Sequence, residues 1–220
     1  DNFTAAEWTA AGSFTHTYAD GPGNATITVS TTDEDGSFTL GTQAVTIDNV
    51  APTATVSGAA TVAEGSPYTL SVGPITDPGA DTRSAYTIAW GDGLSDSFTA
   101  AEWTAAAGSF THTYADGPGN AVITVSTTDE DGSFTLGTQE VAIDNVAPTA
   151  TVSGAATIAE GSLYTLTVGP RVDPGADTPT LYRIDWGDGS TQNQYTPTEY
   201  DALIAGGGTV THRFADGASS

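Results

Sequence analysis

Apolar and small polar side chains alternate in short runs along this chain. Residues 68–72 (YTLSV), 86–90 (YTIAW), 121–125 (AVITV) and 140–144 (EVAID) show that period of two, and β-branched and aromatic residues dominate them. Alternation of this kind predicts half-buried β-strands. Between the runs lie GDG at 91–93, DPGAD at 77–81, DGPGN at 116–120 and DEDG at 129–132. Their glycine, proline and aspartate residues are turn formers. Several short strands with regular turns predict an antiparallel sandwich. One segment departs from the β pattern: Thr99, with Glu102 three residues on, forms a capping box, as do Thr4 with Glu7 and Thr196 with Glu199. Each predicts the start of a short helix, and Pro197 occupies the favoured first helical position of the third.

The same text recurs. Asp144 follows Asp48 by 96 positions, and Asp173, Trp186 and Glu160 follow Asp77, Trp90 and Glu64 by the same interval. A unit of that length suits one small sandwich domain, not a solenoid turn. Pro52 and Pro148, in the IDNVAPTA segment, mark the boundary. The frame predicts a C-terminal half-repeat over 1–50, a complete repeat over 51–146 and the first three quarters of another over 147–220. It leads us to expect a window on a longer array.

Composition narrows the function. The chain has 27 acidic and 4 basic residues, all four arginine, for a net charge of −23. Such a surface repels phosphate backbones and anionic headgroups, so nucleic acid and membrane surfaces are poor partners, and it attracts divalent cations. With 38% apolar residues it is not a disordered acidic tail. Cysteine is absent, which excludes a disulfide framework and thiolate chemistry. No apolar run is long enough to span a bilayer, and no signal peptide is visible.

A strand ending in Trp90-Gly91-Asp92-Gly93, then Thr111-His112-Thr113-Tyr114, then a Gly-rich turn, then a strand closing on Asp129 resembles the PKD domain family. The resemblance runs over nearly the whole chain. Departures are the helical insertion between the WGDG and HTY segments and a phenylalanine missing from the WGDG strand. It implies tandem seven-stranded Ig-like sandwiches, extracellular or at the cell surface, of the kind used as spacers in bacterial adhesins and secreted polymer-degrading enzymes. It also implies calcium at the inter-domain end, at positions matching Asp77 and Asp129.

The acidic loops widen that candidate set to Asp48, Asn49, Asp77, Asp81, Asp129, Asp131, Asp144, Asn145, Asp173 and Asp177. Calcium takes six to eight oxygen ligands, which clustered carboxylates, amides and carbonyls supply. The IDNVAP linker is similar over a few residues to the calcium-binding linkers of cadherins. The competing reading is that these aspartates only form turns. Trp90 and Trp186 read as core. His16, His112 and His212 occur once per repeat, beside Tyr18, Tyr114 and Phe214, and read as structural hydrogen-bonders. No unit offers a convergent acid–base pair, so no catalytic residue is named and Asp92 and Asp188 read as turn residues. Trp8, Trp103 and Tyr200 on the inserted helices either pack on the sheet or stack on a sugar ring.

Two function classes follow: a structural or adhesive array, its neighbouring repeats stiffened by calcium, and a carbohydrate-binding accessory module with a polysaccharide partner. The frame adds a third expectation. Complementary half-repeats in two molecules hold every strand of one sandwich, so head-to-tail polymerisation is open to this chain.

Overall fold

The computed structural model describes residues 1–214; the last six residues of the 147–220 segment lie outside it. The fold is all-β, in mostly antiparallel sheets, with three short helices among the described residues. The chain divides into two compact units. One comprises residues 1–58, 69–110 and 122–140, and the other 59–68, 111–121 and the described residues from 141. Among the described residues no helix is long and apolar enough to cross a membrane.

In the first unit, strands Gly23–Asp33 and Gly36–Ile47 form a hairpin, with Gly23 opposite Ile47 and Asp33 opposite Gly36. Strand Ala85–Ala89 pairs with Ser95–Phe98 on one side and with residues 124–128 on the other. Val56–Gly58 pairs with the end of Pro67–Val72. Along Pro67–Val72 every second side chain is buried, as the alternation predicts. Leu70, Ile88, Ile123 and Val125 have no exposed surface, and Trp90 has 1%.

In the second unit, Thr149–Gly154, Leu163–Val172 and Thr209–Arg213 form a three-stranded sheet, and Tyr182–Ile184 pairs with Asn193–Tyr195. One pairing departs from the antiparallel expectation: Thr61–Ala63 runs parallel to residues 142–144. Residues 56–58 hydrogen-bond in one sheet and 61–63 in another. A strand that switches sheets at a bend meets its new neighbour in whichever direction it arrives.

A second departure is length. The alternation at 140–144 belongs to a twelve-residue strand, Ser133–Asp144. Gly137 lies within this strand and admits a neighbour. A Cβ on it would lie 2.8 Å from Val56 Cγ2 and 3.0 Å from Ala54 O. Glycine in a strand often marks such an approach of backbone.

All three helices begin at the capping boxes. Thr4, Thr99 and Thr196 each accept from the backbone N–H of the glutamate three residues on, which reaches back to the cap N–H. Thr99→Ala is expected to lower the stability of its unit by about 1 kcal/mol, read by urea unfolding.

Candidate metal centre

The acidic residues gather where successive repeats meet, and a backbone hydrogen bond fixes each meeting. Within the first unit the Ala80 N–H donates to Ala19 O at 2.9 Å, and within the second Ala176 N–H donates to Ala115 O at 2.7 Å. These four residues are equivalent in pairs, 96 positions apart, so the same contact forms twice. It brings the DPGAD loop of one repeat onto the ADGP turn of the repeat before it.

In the first unit this places Asp77, Asp81 and Asp129 with carboxylate oxygens within 4.8 Å of one another. Asp20, from the preceding repeat, and Glu130 form a second such group with Asp81. Asp129 is buried, with 7% exposed. Its Oδ1 accepts from the N–H groups of Asp131 and Gly132, at 3.0 and 3.1 Å. Its Oδ2 is out of solvent contact and has no hydrogen-bond donor, as are both oxygens of Asp81 and Oδ2 of Asp131. A carboxylate only accepts, so two facing each other need a shared proton or a cation between them. Burial, followed by the hydrogen-bonding and charge of Asp77 and Asp20, raises the Asp81 pKa to about 6. Burial, and then Asp129, Asp20 and Glu130, push Asp131 upward as well.

The second unit holds the equivalent loop with a different surround. Asp173 and Asp177 lie with Glu64 in one group. Glu64 is fully buried, its Oε2 accepting from Gly117 N–H at 2.6 Å and its Oε1 from Val146 N–H at 2.8 Å. Asn145, its amide nitrogen assigned from the surrounding acceptors, donates to Glu64 Oε1 and Asp177 Oδ2 at 3.1 Å each. Burial, and then Glu64, Asp173 and Asp116, raise the Asp177 pKa. Gly65 is in the left-handed region at φ +67°, and a Cβ there would collide with the Pro174 carbonyl, so only glycine lets the two loops close.

Each cluster has one arginine. Arg83 pairs with Asp77 at 3.2 Å and Arg171 with Asp173 at 2.5 Å. The aspartates are equivalent but the arginines are not, so the same charge is answered from two different positions. At Asp173 and Glu64, cationic or N–H donors already answer the carboxylates. At both oxygens of Asp81, and at Oδ2 of Asp129 and of Asp131, they do not. Four solvent-shielded oxygens without donors fit a hard cation that takes oxygen ligands.

The candidates divide accordingly. Asp77, Asp81 and Asp129 come together, Asp131 lies beside them, and Asp173, Asp177 and Asn145 join around Glu64. Asp48 and Asp144 enter none of the carboxylate groups; the Asp144 carbonyl instead accepts from Glu64 N–H at 2.9 Å. Asn49 is likewise outside them. Asp20, Glu130 and Glu64 were not among the sequence candidates. Asp20 lies in a DGPGN segment, Glu130 in DEDG and Glu64 in neither, and only the folded contact between repeats brings them into these groups.

The three aromatic candidates differ in their surroundings. Trp103 stacks on Tyr86, with ring centroids 4.5 Å apart and planes 11° apart, and packs against Phe110. Tyr200 is buried, stacked on Tyr182, and its hydroxyl donates to Gly169 O. Trp8 is exposed but stacks on Phe14. His212 lies flat on Trp186 and pairs with Asp188 at 2.7 Å. Hydrogen bonds from Ser190, and then from His212, hold the Asp188 carboxyl well below the usual carboxylate range.

In the absence of divalent cations the first unit is expected to gain stability as pH falls from 7 toward 5. The folded-state pKa of Asp81, about 6, lies above its ordinary value, so the folded form takes up the proton first. The gain is complete below the ordinary carboxylate pKa and is lost as pH rises through 6. Thermal unfolding against pH in chelator reads the trend, and Asp81→Asn flattens it.

No protein-family model matches the chain, and no curated protein matches it. Among solved structures it is similar to a crystal structure of the chicken CNTN1 FN1-FN3 domains. The identity is 12% over 86% of this chain and 66% of that one, with a TM-score of 0.24. The chain spans slightly under two thirds of that structure's length, and the all-β class rests on the strand pairing described above.

Proposed function

We propose that this chain is a non-catalytic, extracellular structural or adhesive repeat element whose successive repeats are tied by calcium. In the first unit the ligands are Asp20 from one repeat and Asp77, Asp81, Asp129 and Glu130 from the next. The observation that carries this reading is the set of donorless, solvent-shielded oxygens on Asp81, Asp129 and Asp131, at a repeat boundary whose backbone hydrogen bond recurs at the next. A cation there relieves the carboxylate repulsion that Arg83, paired with Asp77, leaves at Asp81 and Asp129, and Asp20 adds a carboxylate from the preceding repeat. The function is then mechanical: the ion converts a hinge into a fixed joint. The WGDG, HTY and closing Asp129 motifs, with their resemblance to PKD domains, support the surface-spacer setting.

Calcium at a hundredfold excess over its dissociation constant is expected to raise the Tm of the first unit by on the order of 10 °C over chelator. Asp81→Asn removes most of that increment. A Tm unmoved by calcium across pH 6–8 sinks the proposal and leaves these aspartates as turn formers.

A further inference from the structure

The two carboxylate groups of the first unit share one residue. An oxygen of Asp81 lies within 4.8 Å of Asp77 and Asp129 in one group, and of Asp20 and Glu130 in the other. Among the described residues no group joins Asp77 or Asp129 to Asp20 or Glu130. Oxygens held by one calcium at 2.3–2.6 Å lie at most about 5 Å apart, so ligands that do not close within that span belong to different ions. Asp81 has a carboxylate within hydrogen-bonding reach on each side, Asp77 and Asp20. Both of its own oxygens are out of solvent contact and without a donor.

We infer that this joint holds two calcium ions bridged by the Asp81 carboxylate, an inner one on Asp77 and Asp129 and an outer one on Asp20 and Glu130. The inference rests on the calcium reading of the joint and goes beyond it in the number of ions and the role of each. Charge points to the same number. Six carboxylates, those of Asp20, Asp77, Asp81, Asp129, Glu130 and Asp131, meet one guanidinium, Arg83, and the chain has no lysine. With all six ionised the surplus is five negative charges, of which one calcium leaves three and two leave one. Beyond burial, Asp131 feels Asp129 of the inner group and then Asp20 and Glu130 of the outer, so its donorless Oδ2 is open to either ion.

The two seats differ in depth. Asp129 is 7% exposed and turns an unpartnered Oδ2 to the inner ion. Asp20 and Glu130 are exposed, with Glu130 Oε2 accepting from Thr82 N–H at 2.8 Å. Water completes the outer shell, and an ion with fewer, looser protein ligands binds more weakly. The inner ligands all come from one repeat, so the inner ion orders that repeat's own loops. Asp20 comes from the repeat before, so the outer ion is the one that ties two repeats. A repeat is then ordered at low calcium, and its joint is fixed only at higher calcium. The cross-repeat pair recurs 96 positions on, where Asp116 acts on Asp177 after burial, Glu64 and Asp173.

Equilibrium dialysis against radioactive calcium counts the ions on the intact chain, and comparing each variant with wild type cancels ions bound elsewhere. At a concentration that fills wild type, Glu130→Gln is expected to lose one ion and Asp81→Ala two. The ion that Glu130→Gln loses is expected to be the weaker, by roughly tenfold or more. Glu130→Gln keeps an acceptor for Thr82 N–H, and each variant removes a repelling carboxylate, so neither is expected to melt below wild type in chelator. An Asp81→Ala chain that loses one ion, or a Glu130→Gln chain that loses none, overturns the second ion and leaves a single-ion joint. A wild-type chain that binds no calcium overturns the calcium reading itself.

Discussion

Trp90→Ala is expected to destabilise the first unit by about 3–5 kcal/mol, the range for deleting a large buried aromatic. Trp90 is 1% exposed, and its indole N–H donates to Asp96 Oδ2 at 2.8 Å. Truncation leaves a cavity between Ile88 and the neighbouring strands and removes the donor to the Asp96 carboxylate. Trp186 occupies the equivalent position, with an equivalent bond from its N–H to Asn193 Oδ1 at 2.8 Å. It is only half-buried, one face lying on His212. Trp186→Ala is therefore expected to cost distinctly less in the monomer. Denaturant unfolding of the two variants, followed by circular dichroism, reads the difference. Equal losses contradict the expectation that the half-buried Trp186 contributes less than Trp90.

The second large effect is at Glu64. Its two oxygens accept from Gly117 and Val146 N–H groups that belong to two separate stretches of chain. Glu64→Ala orphans both donors inside the unit, while also relieving the repulsion from Asp173 and Asp177. Charge-assisted hydrogen bonds contribute about 1.5–3 kcal/mol each, so with the relief subtracted a net loss of about 3 kcal/mol is expected. Glu64→Gln keeps one acceptor and points an N–H at the other donor, and it is expected to lose roughly half as much. Glu160, its equivalent in the next repeat, is exposed, and Glu160→Ala is expected to cost less than either. Urea midpoints of the three variants check this order. A Glu64→Ala chain as stable as wild type removes Glu64 from the joint.

Much of the fold was legible because local chemistry and tertiary structure agree. The alternation at 68–72 and 86–90 became strands with alternate residues buried, and each threonine–glutamate box became a helix start. Capping is local, so a few residues suffice to read it. The strand through Gly137 was not legible, because what glycine does there depends on Val56, far away in sequence. Nor was the parallel placement of Thr61–Ala63, which follows from a change of sheet. The candidate centre divides in the same way. Asp77, Asp81 and Asp129 stand out as acidic loop residues, but Asp20 and Glu64 acquire meaning only through contacts across repeat boundaries. Asp48 and Asp144 were named for lying in the linker, and there the backbone carbonyl of Asp144 does the bonding.

The joint nature of the cation site is the central claim, and calcium calorimetry on the intact chain tests it with two substitutions. Asp81→Asn and Asp20→Asn remove carboxylates from opposite sides of one repeat boundary. If the ion ties the repeats, calcium binds the wild-type chain, both variants weaken it, and the double variant weakens it by less than the sum, as coupled neighbours do. Calcium that binds Asp20→Asn as tightly as wild type confines the ion to a single repeat and contradicts the account.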